Sequence, residues 1–221
     1  MQDSFISLKQ EALFQQEMKK SVFIAHAAPI KTEAEAEAFI EAEWDKYPDA
    51  THIVYAYKTG KESGHIAQKM TDNGEPQGTS GPPVFDVLDK NDIYDAIITV
   101  TRYFGGTLLG TGGLVKAYGS SASSVVRKAG LVSMVPGRDL VLDIAYEYLD
   151  IFDYQMSLRK DRVNVISKDF SASVKVKVIV DLLYLEEFTT YIMNLTQGSA
   201  KIEKGDISYQ AKSLEDKDNG E

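Results

Sequence analysis

The chain has 221 residues, 43% of them hydrophobic and 26% charged, which is ordinary globular composition and enough material for one large or two small domains. Its 24 basic and 33 acidic residues give a net charge of -9. That balance argues against coating nucleic acid or an anionic membrane with the whole surface, and leaves room for a local basic site. With no cysteine, disulfides, thiolate nucleophiles and cysteine-ligated zinc are excluded.

The start of the chain is polar, with Lys9, Glu11, Glu17, Lys19 and Lys20 breaking any apolar leader, and no run approaches the roughly 18 apolar residues of a membrane helix. The expectation is a soluble, cytoplasmic protein. Ser21 to Ile30 reads as a strand. Thr32 followed by Glu35 forms a capping-box start for a helix over Glu33 to Tyr47, with Ala36, Phe39, Ile40 and Trp44 at helical spacing and an acidic opposite face. Thr51 to Lys58 alternates as a strand should, and a second strand near His65 to Thr71 returns from the turn around Gly60 to Gly64. The turn-rich Asp72 to Pro83 precedes a short helix, Val84 to Leu88. Asp95 to Tyr103 reads as a buried strand, running through the glycine-rich Phe104 to Gly113 into a helix that ends near Gly130.

Ser133 to Asp139 reads as a linker. Beyond it, a strand Leu140 to Tyr146, a helix Leu149 to Lys160, strands Val163 to Phe170 and Ser173 to Val180, a helix Leu182 to Thr196 and a strand Ala200 to Tyr209 follow in the order βαββαβ. That order is the ferredoxin-like split βαβ pattern. The expected organisation is therefore α+β, with an N-terminal domain over 1–134, a C-terminal ferredoxin-like domain over 135–211 and a polar, disordered tail over 212–221.

One region stands out by what it lacks. From 96 to 138 there is no Asp or Glu in 43 residues, where the average of 33 acids in 221 residues would place about six. The same region carries Arg102, Lys116, Arg127, Lys128 and Arg138. A glycine-rich strand-to-helix junction exposes backbone N–H groups at the positive end of a helix dipole, which suits an anion. The candidate anion or nucleic-acid site is Arg102, Gly105, Gly106, Gly110, Thr111, Gly112, Gly113 and Lys116. The other reading is a tight turn flanked by solvated side chains, and the residues alone leave both open.

Stricter motifs fail. Thr111 and Gly112 stand where a phosphate-loop Lys and Ser/Thr belong, and no acid follows the glycines at dinucleotide-binding distance. His26, His52 and His65 show no ligand spacing, and no metal or cofactor is expected. Asp72 and Glu75, with His52, are the candidates for acid/base work, because the Asp72–Pro76 turn is expected to bring its carboxylates near the glycine loop, although turn chemistry explains Asp72, Asn73, Gly74 and Pro76 equally well. No row of exposed aromatics interleaves with the arginines; Tyr103 and Phe104 are candidate stacking platforms, with a place in the core as the expected reading.

Three segments carry a family likeness: Lys19 to Ile24 (KKSVFI), Asp72 to Pro83 (DNGEPQGTSGPP) and Val100 to Tyr118 (VTRYFGGTLLGTGGLVKAY). Together with Ala50 to Tyr57 (ATHIVYAY) they resemble the IMPACT/YigZ family over nearly the whole chain, in its bacterial two-domain form. The resemblance implies an N-terminal domain similar to the second domain of a small-subunit ribosomal protein. It implies a C-terminal domain like the last domain of elongation factor G, and a role in translation or its regulation under stress. It brings no catalytic residues. The resemblance links eukaryotic members to a kinase activator at the ribosome, but those members carry an additional N-terminal interaction domain, so that partner is not expected to carry over. The expected partners are RNA, the ribosome or a translation-associated protein, with no membrane. The competing classes are an enzyme for a phosphorylated or anionic small molecule and an adaptor using the acidic helix.

Overall fold

A computed structural model describes residues 3–214 of the chain. It divides into two compact units, Phe5–Ser133 and the residues from Met134 onward together with the N-terminal few. Each holds its own sheet and hydrophobic core. Overall the protein is α+β.

In the first unit, β2 (Ala12–Met18), β3 (Ser21–Pro29), β4 (His52–Thr59), β5 (Ala67–Thr71) and β6 (Ala96–Tyr103) form an antiparallel sheet in the order β2-β3-β6-β4-β5. A short strand, β1 (Phe5–Leu8), precedes them. β6 is central and covered on both faces, which is why it reads as the continuous apolar run Ala-Ile-Ile-Thr-Val rather than alternating. On one face, α2 (Gly81–Lys90) and α3 (Thr111–Ala129) bury Val84, Leu88, Leu114, Tyr118, Ala122 and Val125 against Phe23, Ala25, Val54, Ile98 and Val100. On the other, α1 (Glu33–Lys46) covers Ala28, Tyr57 and Ile97 with Ala36, Phe39 and Ile40.

The start of α1 is the expected cap, with Glu35 N–H donating to Thr32 Oγ1 at 3.2 Å and Lys31 N–H to the Glu35 carboxylate at 2.7 Å. Its inward stripe differs from the expected one. Trp44 is 40% exposed, while its neighbour Glu43 is buried. The reason is electrostatic: His26, itself buried, sits between Glu43 at 2.8 Å and Glu11 at 2.6 Å, under the Phe39 ring. Thr99 Oγ1 donates to the second Glu43 oxygen at 3.1 Å.

Burial by itself disfavours the charged His26 ring, but the hydrogen bonds and charges of Glu43 and Glu11 overcome it and raise the pKa above the ordinary 6.5. A raised folded-state value contributes stability that is complete below about 6.5 and is lost as pH climbs through the higher folded value. Urea midpoints are therefore expected to fall from mildly acidic to alkaline pH in the wild type, and to fall less in His26→Gln. A variant with the same pH slope would show that this pair of carboxylates does not govern it.

The strand β7 (Leu131–Ile144) runs straight through the segment expected to be a linker. Pro136 and Gly137 suggested a break, but a Cβ at Gly137 would stand 2.7 Å from Ile179 Cγ2, so glycine is there for close packing. In the second unit β7 is followed by α4 (Leu149–Ser157), β8 (Val163–Phe170), β9 (Val174–Asp181), α5 (Leu185–Leu195) and β10 (Lys201–Ser213). This is the βαββαβ order, with the strands arranged β10-β7-β9-β8. β9 alternates with period two, Val174, Val176, Val178 and Val180 facing Phe152, Phe188 and Ile192 while Lys175 and Lys177 point outward. β10 extends through Lys212 and Ser213, which were expected in the tail. The remainder of that tail, 215–221, lies outside the described residues.

Candidate functional site

The glycine-rich junction links β6 to α3 in the first unit. Its two ends behave differently. At the strand end, Arg102 stands opposite Phe23 on β3 and His52 on β4 and is only 5% exposed. Its Nη1 donates to Glu75 Oε1 at 2.6 Å and its Nη2 to Ser21 Oγ at 3.3 Å. Among the described residues its Nε has no hydrogen-bond partner. Sequence reasoning offered Arg102 as a donor to a bound anion or as a solvated side chain flanking a tight turn. The structure instead turns the guanidinium fork inward, one arm on the Glu75 carboxylate and the other on the Ser21 hydroxyl.

Glu75 is held in the same knot. Its Oε1 also accepts from Tyr118 Oη at 2.7 Å and lies 4.0 Å from His52 Nε2. Burial first, and then the Glu75 carboxylate, push the Tyr118 phenol far above its usual pKa, so it stays a donor. His52 donates from Nδ1 to the Asn73 carbonyl at 2.9 Å. The other candidate acid, Asp72, accepts from Gly78 N–H at 2.7 Å, Gly81 N–H at 2.8 Å, and Ser80 through both its N–H (3.0 Å) and its hydroxyl (2.8 Å). Burial alone would raise its pKa, but these donors hold it below the ordinary carboxylate value. Asp72 thus shapes the turn and the start of α2, and Glu75 pins that turn to the sheet and to α3.

A groove of about 480 Å³ runs between α2 and α3, lined by Pro82, Pro83, Val87, Val115, Gly119 and Ser123 among others. Neither Asp72, Glu75 nor Arg102 belongs to its walls. Among the described residues no group of three or more His, Asp or Glu side chains is placed to hold a metal.

At the helix end the loop opens to solvent. Gly106, Thr107, Leu108, Gly110, Thr111, Gly112 and Lys116 are exposed, Leu108 at 81%. Gly110 caps α3 with φ 76°, no side chain caps the helix, and its first turn contains no acid. The early N–H groups of such a helix lack partners within it. Gly113 is half-buried above Leu109. Gly105 lies against the β2–β3 turn: a Cβ there would be 2.0 Å from the Lys20 carbonyl, and its N–H donates to Ser21 Oγ at 3.1 Å.

Two features escaped the sequence reading. Phe104, read as core, is 45% exposed, with its backbone N–H fixed by Thr51 Oγ1 at 3.0 Å. The β2–β3 turn, made by Lys19 and Lys20, packs its backbone against the adjoining Gly105. The hairpin left little local signal, because Lys19-Lys20 has none of the usual turn chemistry.

The fold and the loop define an α+β protein whose first unit carries the signature segments around one glycine-rich junction. Residues 19–126 match the model of the Impact N-terminal domain. The chain is 33% identical to the IMPACT family member YvyE of Bacillus subtilis, over 97% of each chain. It is 31% identical to the IMPACT family member YigZ of Escherichia coli, over 85% of this chain and 91% of that one. A crystal structure described as that of a hypothetical protein superposes with a TM-score of 0.60 at 29% identity, covering 90% of this chain and 96% of the other. The chain belongs to the IMPACT family. Among the described residues, no helix is long and apolar enough to cross a membrane.

Proposed function

We propose that the protein binds RNA, free or within the ribosome, through the solvent-facing end of the β6–α3 junction, and acts in translation or its regulation. The observation that carries this reading is the acid-free segment 96–138 in a chain of net charge -9, together with the exposed Lys116 and uncapped α3 start within it. A focal basic contact on an acidic protein attaches to phosphate locally and repels it elsewhere. Family membership supports the setting, and the proposed likeness of the two units to a ribosomal-protein domain and to the last domain of elongation factor G fits it.

An enzyme acting on an anionic small molecule is the weaker reading, because Glu75 and Asp72 are engaged in internal hydrogen bonds and do not line the α2–α3 groove. The burial of Arg102 decides which variant tests the site. Charge reversal there would set two carboxylates together in the core, whereas Lys116 is exposed. Lys116→Glu is expected to weaken binding to ribosomes and to generic RNA and to flatten the salt dependence. Unchanged affinity and slope would remove this end of α3 from the interface.

A further inference from the structure

Lys19 and Lys20 occupy the two central positions of a two-residue hairpin turn, between the paired residues Met18 and Ser21. Their φ angles are +48° and +66°, the left-handed region that such a turn requires and that Asn-Gly fills with least strain. Folding alone gives no reason for two lysines there. Both are exposed, and among the described residues neither is ion-paired. The turn is fixed against the loop by the close approach of Gly105 to the Lys20 carbonyl, with Ser21 Oγ joining Gly105 and Arg102. Directly preceding Gly105 is Phe104, whose ring lies 5.4 Å from the Arg102 guanidinium while the residue is 45% open to solvent. The same guanidinium lies 5.5 Å from the ring of the buried Phe23.

We propose that this corner of the first unit is a binding site for single-stranded RNA, in which an unpaired base stacks on Phe104 and the neighbouring phosphates are held by Lys19 and Lys20. It rests on the RNA-binding reading above and narrows it to unpaired strands. A duplex keeps its bases stacked inside and offers Phe104 no π-face, so the exposed ring selects single strands. The lysines add charge without base preference. Arg102, committed to Glu75 and 5.4 Å from the Phe104 ring, is a positioning residue.

The test is fluorescence anisotropy of the full chain with a labelled uridine oligonucleotide and with an RNA duplex of equal length, over a series of salt concentrations. The double variant Lys19→Asn/Lys20→Gly restores the favoured turn chemistry, so its thermal midpoint should rise while its affinity for the single strand falls. The slope of log affinity against log salt should lose about 1.4, at roughly 0.7 for each single-strand phosphate contact. Phe104→Ala should weaken single-strand binding by about 5- to 150-fold, the range for one stacked base, with the salt slope unchanged. Wild-type binding that persists in both variants, or duplex bound as tightly as single strand, overturns this site while leaving RNA binding itself standing. Failure of the wild type to bind either RNA at low salt overturns both.

Discussion

Glu75→Ala is expected to destabilise the Phe5–Ser133 unit by about 3 to 5 kcal/mol, the cost of stranding one partner of a buried ion pair. Arg102 is 5% exposed, and the guanidinium would lose its closest counter-charge, while the buried Tyr118 hydroxyl would lose its acceptor. Against a typical total stability of about 5 to 15 kcal/mol this approaches unfolding. The measurement is a urea midpoint at fixed pH. Adding Arg102→Leu to Glu75→Ala should recover a large part of the loss, because an apolar side chain removes the uncompensated charge. A single variant within about 0.5 kcal/mol of wild type, as for an ordinary surface substitution, would contradict this description of the knot.

Gly105→Ala is expected to cost less but still a large share of the stability, about 1 to 3 kcal/mol for overpacking that side-chain rotation cannot relieve. The added methyl would stand 2.0 Å from both the carbon and the oxygen of the Lys20 carbonyl and 2.5 Å from Ser21 N. All three are backbone atoms. Relief requires the β2–β3 turn and the β6–α3 loop to separate, which would break the Gly105 N–H bond to Ser21 Oγ. Gly112→Ala is the control: a Cβ there meets nothing within 4 Å in the first turn of α3, so it should be neutral or slightly stabilising. Equal thermal midpoints for the two variants would show that Gly105 is not a close-packing position.

These variants also show where the sequence was readable. The helix starting after Thr32 announced itself by its cap, and the βαββαβ order of the second unit followed from valine alternation on β9 and the helical spacing on either side of it. β2 was missed because its inward face carries Gln16. That amide is satisfied by the Ala117 carbonyl and the Ser120 and Ser121 hydroxyls of α3, so a polar residue stands where the pattern demands an apolar one. Trp44 and Glu43 exchanged their expected places for a similar reason, a buried charge partner in His26 that lies 17 residues away.

The site was legible as a region and illegible in its wiring. The acid-free stretch and the glycines located the β6–α3 junction. The turn carrying Glu75 was expected near the glycine loop, but nothing in the local sequence revealed that Glu75 would be taken up by Arg102, 27 residues later, at the sheet's covered face. Nor did it reveal that Phe104 would stand 45% open to solvent with its ring 5.4 Å from the Arg102 guanidinium. A strand end that is buried on one side and open on the other defeats a simple division into core and surface.

The most direct measurement is the affinity of the purified full chain for ribosomes and for single-stranded RNA across a range of salt concentrations. Binding at low salt that weakens linearly on a log–log scale as salt rises is the expected result for a focal phosphate contact on this acidic protein. Absence of binding to both at low salt would contradict it.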